Sequence, residues 1–272
     1  MNTSELFRKH GWVIMKDFFN DDEVAKIKAA TERSVSENMG VDLLCNPFLK
    51  HLTILNPKII SLVSELIQDA PVYIGDSTIS YNDMGMSLHK DNPDKSSSQA
   101  PDWLSEYTVL RMGIYLQDYS STSGGLILRD KSHNTVSRWS GKIVNVKSSP
   151  RDLIIWNLRT THSGNAKRLK AFPSLDLNPY VCKVLPEGLF LKAPQRRMAL
   201  FLSYGKDDHH LKRYIAYLKT RKYAADRWKG MIIDKEDFEY SKKIGLRIWD
   251  LTDEAKKIDN STLHEKHVEL DY

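Results

Sequence analysis

The spacing of apolar residues changes once along the chain, near residue 70. Before that point Val24, Ile27 and Ala30 recur at helical intervals. Asn20 precedes them as an N-cap, and Asp21, Asp22 and Glu23 fill the first turn, where carboxylates suit the positive end of the helix dipole. Glu23, three residues beyond Asn20, completes the pattern of a capping box. This helix is expected to end near Asn38-Met39-Gly40. A short helix opens the chain and leads to a strand, Gly11-Trp12-Val13-Ile14-Met15, followed by Asp17-Phe18-Phe19. A second long helix is predicted over 57–68, with Pro57 in the first turn, where its missing N–H costs nothing.

From residue 71 the period shortens to that of strands. The predicted strands are 72–74, 77–81, 109–116, 124–128, 142–146, 152–156 and 197–204, rich in Val, Ile, Leu, Tyr and Trp. Gly, Pro, Asn and Ser clusters separate them, as in an antiparallel sandwich or barrel. Beyond Lys206 the helical period returns, with Leu211, Tyr214, Ile215 and Leu218 on one face; the stretch from about Asp234 is mixed and expected on the outside. No repeat or low-complexity segment interrupts the chain. The expectation is one domain over 1–272: a helical part (1–70), a β core (71–205) carrying an insertion (169–195), and a helical extension (206–272).

Composition narrows the function classes without choosing one. The 272 residues are 41% hydrophobic and 28% charged, with a formal net charge of +5. Lys and Arg are scattered, so no nucleic-acid footprint is expected. No apolar run is long enough to span a membrane, and the N-terminus lacks the basic-then-apolar pattern of a secretion signal. Cys45 and Cys182 lie far apart without a partner motif and read as reduced thiols, which favours the cytoplasm.

The chemistry is carried by three residues. His89 and Asp91 lie in Met86-Ser87-Leu88-His89-Lys90-Asp91-Asn92-Pro93, and His162 in Thr160-Thr161-His162-Ser163-Gly164-Asn165. Residues i and i+2 of a strand project from one face, so His-x-Asp aims an imidazole and a carboxylate at one point. With His162 they spell the spacing of a 2-His-1-carboxylate facial triad, which holds one iron ion and leaves positions open for substrate and oxygen. A lone His-x-Asp arises often by chance. Here it ends a strand and enters a Pro- and Ser-rich loop, His162 follows another apolar strand, and an Arg opens the last strand.

In these features the chain resembles the phytanoyl-CoA dioxygenase-like family of Fe(II)/2-oxoglutarate-dependent oxygenases, from about Phe7 to Gly205. The resemblance rests on Gly11-Trp12-Val13-Ile14 with Asp17-Phe18-Phe19, on His89-Lys90-Asp91, and on Leu116-Gln117-Asp118 followed by Gly124-Gly125-Leu126. Lys131-Ser132-His133 and Asp152-Leu153-Ile154-Ile155-Trp156 leading to His162-Ser163-Gly164 complete it. It implies a mainly β fold with flanking helices, the double-stranded β-helix or jelly roll. It also implies metal ligands His89, Asp91 and His162, with Fe(II), 2-oxoglutarate and molecular oxygen as cofactor and co-substrates. The implied reaction is hydroxylation, or another oxidation, of a small molecule with release of succinate and carbon dioxide. The retained Asp91 disfavours halogenation, because halogenases of this superfamily carry a small residue there.

The family's 2-oxoglutarate arginine opens the last barrel strand about a dozen residues after the distal His; here an insertion intervenes. Arg168 is too close to His162, and Arg197 is the expected anchor, with Arg196 as rival; strand alternation lets only one face inward. Ala199 stands where some relatives carry a serine. Arg111 is placed to meet a substrate or 2-oxoglutarate carboxylate, with a surface ion pair as the plainer reading. His133 is expected to brace a turn, His209 and His210 to lie at the surface where a helix starts, and Trp156 and Tyr115 to pack in the core. The loops 92–103 and 169–195 are the expected substrate-selecting lids. Two rival functions stay open: a non-catalytic jelly-roll binding protein, and a cupin-type metal enzyme that needs no 2-oxoglutarate. The expected partner is a small-molecule substrate derived from a secondary metabolite, an amino acid or a sugar, with no nucleic acid and no membrane.

Overall fold

The computed structural model describes residues 2–82, 85, 87–194, 196–268 and 270; Met86 of the His-x-Asp run and Gln195, which closes the expected insertion, lie outside them. In chain order the first elements are α1 (Thr3–His10), β1 (Trp12–Met15), α2 (Asp21–Ser36), α3 (Pro57–Ile67), β2 (Val72–Tyr73) and β3 (Ser77–Tyr81). The core strands follow as β4 (Leu110–Tyr115), β5 (Ile127–Asp130), β6 (Lys142–Asn145), β7 (Leu153–Asn157) and β8 (His162–Ser163). After α4 (Pro179–Val184) come β9 (Met198–Tyr204), α5 (His209–Lys219), α6 (Lys222–Lys229), α7 (Lys235–Lys243), β10 (Arg247–Ile248) and α8 (Thr252–Lys256).

Strands pair as a five-stranded sheet in the order β1-β7-β4-β9-β3, a three-stranded sheet β6-β5-β8 and a two-stranded pair β10-β2. This is a mainly β jelly-roll fold with flanking helices. The chain forms two compact units, each discontinuous in sequence: Met1–Val24, Ser80–Asp91 and Met112–Leu200 make the first, and Ala25–Ile79, Asn92–Arg111 and Phe201–Tyr272 the second.

In the first unit β1 and β7 pair antiparallel, from Trp12 opposite Trp156 to Met15 opposite Leu153. Every residue of β7 is buried, which explains why Leu-Ile-Ile-Trp reads as a continuous apolar run and not as an alternating one. Helix α1 begins with a capping box between Asn2 and Glu5 and ends at Gly11, in the left-handed region at φ 78°. A Cβ on Gly11 would sit 2.2 Å from His133 Nδ1 and 2.8 Å from Thr160 Oγ1, so both the turn and the close approach demand glycine. The box predicted at α2 is present: the Glu23 amide donates to Asn20 Oδ1 at 2.9 Å, and the Asn20 amide to Glu23 Oε2 at 2.8 Å. Strand 124–128 is shifted, because β5 runs Ile127–Asp130. Gly124 and Gly125 instead bracket Ala166, the Gly124 amide donating to the Ala166 carbonyl and the Ala166 amide to that of Gly125.

In the second unit β2 and β10 run parallel, and α3 buries Ile59, Ile60, Leu62, Val63 and Leu66. Helix α5 buries the predicted face, Leu211, Tyr214, Ile215 and Leu218. His209 is exposed as expected, whereas His210 is fully buried and bonded through Nε2 to Ser105 Oγ at 2.9 Å. The surface expectation for His210 is therefore corrected: it stands four residues before Tyr214, on the face of α5 that is buried.

Candidate metal centre

β5 is the middle strand of its sheet, with β6 on one side and β8 on the other, and Leu128 lies opposite His162. On the far side of His162 the chain at His89 adds an antiparallel bridge. The two histidines exchange backbone hydrogen bonds, His89 N to His162 O at 3.0 Å and His162 N to His89 O at 2.9 Å, and the Asp91 amide donates to Leu158 O at 2.9 Å. Adjacent pairing of this kind brings both rings to one side of the ladder, with ring centroids 4.4 Å apart.

His89 Nε2 lies 3.5 Å from Asp91 Oδ1, and His162 Nε2 lies 3.4 Å from Asp91 Oδ2. These separations are too long for strong hydrogen bonds and leave three converging donor atoms, all within 4.8 Å of one another. The other nitrogens fix the tautomers: His89 Nδ1 is 2.8 Å from Ser87 O, and His162 Nδ1 is 3.0 Å from Thr160 O. A carbonyl only accepts, so each Nδ1 donates, and in the neutral ring it is then Nε2 that offers a lone pair to a metal. Metal-ligating histidines are oriented in this way, by donating the second ring N–H to a carbonyl or carboxylate. A set of two neutral imidazoles and one carboxylate suits Fe(II). The His162 side chain is 8% exposed, Asp91 15% and His89 49%, so the set opens on the His89 side.

The loop that delivers His162 is buried and held by hydrogen bonds on both sides. Leu158, Arg159, Thr160 and Thr161 are all buried. The Gly11 carbonyl accepts from both the Asn157 amide (2.9 Å) and Thr160 Oγ1 (2.7 Å), and the Thr161 amide donates to Ser132 Oγ at 2.8 Å. The Trp156 ring packs 5.4 Å from that of His162. His133 braces the neighbouring turn, with Nε2 donating to Arg8 O at 2.9 Å; burial, with Arg159 and Lys90 nearby, pushes its pKa down to about 4.

Arg197 and Arg196 are separated by burial: Arg197 is 6% exposed and Arg196 lies at the surface. Asn82 brackets the Arg197 backbone, its amide donating to Arg197 O at 2.8 Å and its Oδ1 accepting from Arg197 N at 3.2 Å. The guanidinium donates from Nη1 to Ser80 Oγ at 2.8 Å, lies 5.6 Å from the Tyr115 ring centre, and would come within 3.7 Å of a Cβ placed on Gly164, two residues past His162. Burial raises the Tyr115 pKa, and the adjacent Arg197 cation opposes that rise. Arg168 is buried among backbone carbonyls, its Nη2 3.4 Å from Asn145 O and 3.3 Å from Val146 O.

Arg111 belongs to the second unit, where Nη2 donates to Asp76 Oδ2 at 3.0 Å and Tyr214 OH at 3.1 Å, and Nε to Ser203 Oγ at 3.0 Å. Arg227 binds the same carboxylate at 3.1 Å. The ion-pair reading of Arg111 describes these contacts, though the pair is largely buried and not at the surface. Both cations hold the Asp76 carboxyl below its usual range against the opposing effect of burial.

Two residues beside the triad were not singled out from sequence. Ser80, on β3, accepts from the Arg197 guanidinium; the polar alternation Thr78, Ser80, Asn82 was its signal. Lys90, the middle residue of His-x-Asp, is 3% exposed, and strand parity alone directs it away from the ligands. Burial first, and Arg159 second, pushes its amine down to about 7.

No family model matches the chain, and no curated protein matches it. Among solved structures the fold is similar to those of several proteins, two of them described with alpha ketoglutarate or 2-oxoglutarate. AviO1 from Streptomyces viridochromogenes Tue57 is similar at 16% identity over 75% of this chain and 93% of that one, with a TM-score of 0.53. The alpha ketoglutarate dependent epimerase SnoN from nogalamycin biosynthesis is similar at 16% identity, over 74% and 80% of the chains, with a TM-score of 0.52. EctD from S. alaskensis, crystallised with 2-oxoglutarate and 5-hydroxyectoine, is similar at 16% identity, over 74% of each chain, with a TM-score of 0.52. At this identity the likeness is one of fold. Among the described residues no helix is long and apolar enough to cross a membrane.

Proposed function

We propose that this chain is an Fe(II)/2-oxoglutarate-dependent oxygenase that hydroxylates, or otherwise oxidises, a small molecule. The observation that carries the reading is the convergence of one ligand atom each from His89, Asp91 and His162 within 4.8 Å of one another, with each histidine held at Nδ1 by a backbone carbonyl. His89, Asp91 and His162 would hold the metal. Arg197, with its guanidinium steadied by Ser80, would hold the far carboxylate of 2-oxoglutarate, as an arginine fork suits a planar carboxylate. With both bound, the centre supplies oxygen-dependent oxidation of a C–H bond, with release of succinate and carbon dioxide.

The motif resemblance to the phytanoyl-CoA dioxygenase-like family supports this reading. Fold-mates that include an alpha ketoglutarate dependent epimerase and a protein crystallised with 2-oxoglutarate and 5-hydroxyectoine support this reading in a broad sense and leave the outcome to the substrate. The two free cysteines suit a reducing cytoplasm.

The test is anaerobic addition of Fe(II) and then 2-oxoglutarate, followed by visible absorption. A weak charge-transfer band in the wild type, lost in His89→Ala, is expected. Absence of the band in the wild type overturns the reading. A succinate-release screen over a metabolite library, wild type against His89→Ala, then identifies the substrate.

A further inference from the structure

We infer that Lys90 is a positioning residue for the metal centre, a strut that holds the His89–Asp91 segment against the loop delivering His162; the inference rests on the metal-centre reading above. Strand parity puts its side chain on the face opposite the two ligands, where it is buried. There Nζ donates to two backbone carbonyls, Ser132 O and Arg159 O, at 2.6 Å each.

Both acceptors belong to the support of His162. Arg159 lies three residues before it. The Ser132 hydroxyl accepts from the Thr161 amide at 2.8 Å and donates to Arg129 O at 2.7 Å. The backbone already pairs at His89 with His162 and at Asp91 with Leu158. Lys90 adds a third tie midway between these two, from the other face. Three ties on both faces fix the twist of the His-x-Asp segment, and that twist sets where the imidazole and the carboxylate point. An amine offers two N–H donors whether or not it is protonated, so the strut does not depend on its charge. An apolar side chain of equal length would fill the space and remove the donor from both carbonyls at once.

The experiment measures Co(II) uptake by the full metal-free chain, by calorimetry and by the ligand-field absorption of the bound ion. Wild type, Lys90→Met and Leu218→Ala are compared, the last an apolar core truncation in the second unit that lowers the melting temperature without touching the strut. Lys90→Met is expected to weaken Co(II) binding at least about tenfold and to change the absorption envelope, the scale seen when residues supporting metal ligands are removed. Leu218→Ala is expected to keep wild-type affinity despite its lower melting temperature. Wild-type affinity in Lys90→Met overturns the inference, as does an equal loss in Leu218→Ala. If Lys90→Met does not fold, Lys90→Gln, which keeps donors on a shorter stem, is measured in the same way: weakened binding supports the strut and unchanged binding overturns it. A wild-type chain that takes up no Co(II) overturns the metal-centre reading and the inference with it.

Discussion

His89 and His162 are hydrogen-bonded to each other twice through their backbones, at 3.0 and 2.9 Å, although 73 positions (162 − 89) separate them in sequence. The histidine pair is thus built into the sheet ladder, and loop closure alone does not decide where the rings meet. A site on paired strands is held more tightly than one on free loops, so losing one ligand is expected to remove metal binding while leaving the fold.

Replacing His162 with Ala is expected to abolish measurable Fe(II) or Co(II) binding with circular dichroism unchanged. The wild type is expected to gain thermal stability with metal, about 2.7 kcal/mol at a hundred times the dissociation constant. A melting curve that ignores added metal in the wild type would count against the centre.

Arg197 and Arg196 make a paired test. Arg197→Gln removes a buried charge-assisted contact worth about 1.5–3 kcal/mol, so the affinity for 2-oxoglutarate should fall roughly 10- to 150-fold. Arg196→Gln, at the surface, should stay within about twofold. Ser80→Ala removes one neutral contact to the guanidinium and should cost a few-fold, on the order of 1 kcal/mol. Anaerobic titration of the three variants separates these outcomes, and unchanged affinity in Arg197→Gln would sink the anchor assignment.

The buried His133 makes stability fall in acid. Its folded pKa, about 4, lies below the ordinary histidine value of 6.5, so between those values the unfolded chain binds more protons than the folded one. Stability should therefore decline as pH drops from about 6.5 to 4 and flatten below, with a loss of roughly 2–3 kcal/mol from this group. Urea unfolding at pH 7 and pH 4.5 measures it. His133→Gln should show a shallower decline, and an identical slope in both proteins would refute the assignment.

Gly11→Ala is expected to destabilise the first unit by about 3 kcal/mol. It adds left-handed strain at φ 78° to overpacking of His133 and Thr160. Because the Gly11 carbonyl also holds Asn157 and Thr160, metal affinity should fall along with the melting temperature.

The local devices were legible in the residues. Asn20 and Glu23 form their box, α5 buries its predicted stripe, and His-x-Asp converges on one point, because caps, helical period and strand parity act over two to four positions. His210 was misread, because burial of a helix-start histidine depends on the face it shares with Tyr214 and on Ser105, which is distant in sequence. Arg111 was left between two readings until Asp76 and Arg227 were brought beside it.

The sequence by itself determined that His89 and Asp91 share one face and that their scaffold is mainly β, since both follow from short-range periodicity; His162 came from its motif and the family resemblance. Only the tertiary structure decided which arginine is buried, which hydroxyl its guanidinium meets, and that Lys90 turns inward to two carbonyls. These depend on register between strands that no local pattern encodes: Asn82 pairs with Arg197 and His89 with His162 across more than seventy residues.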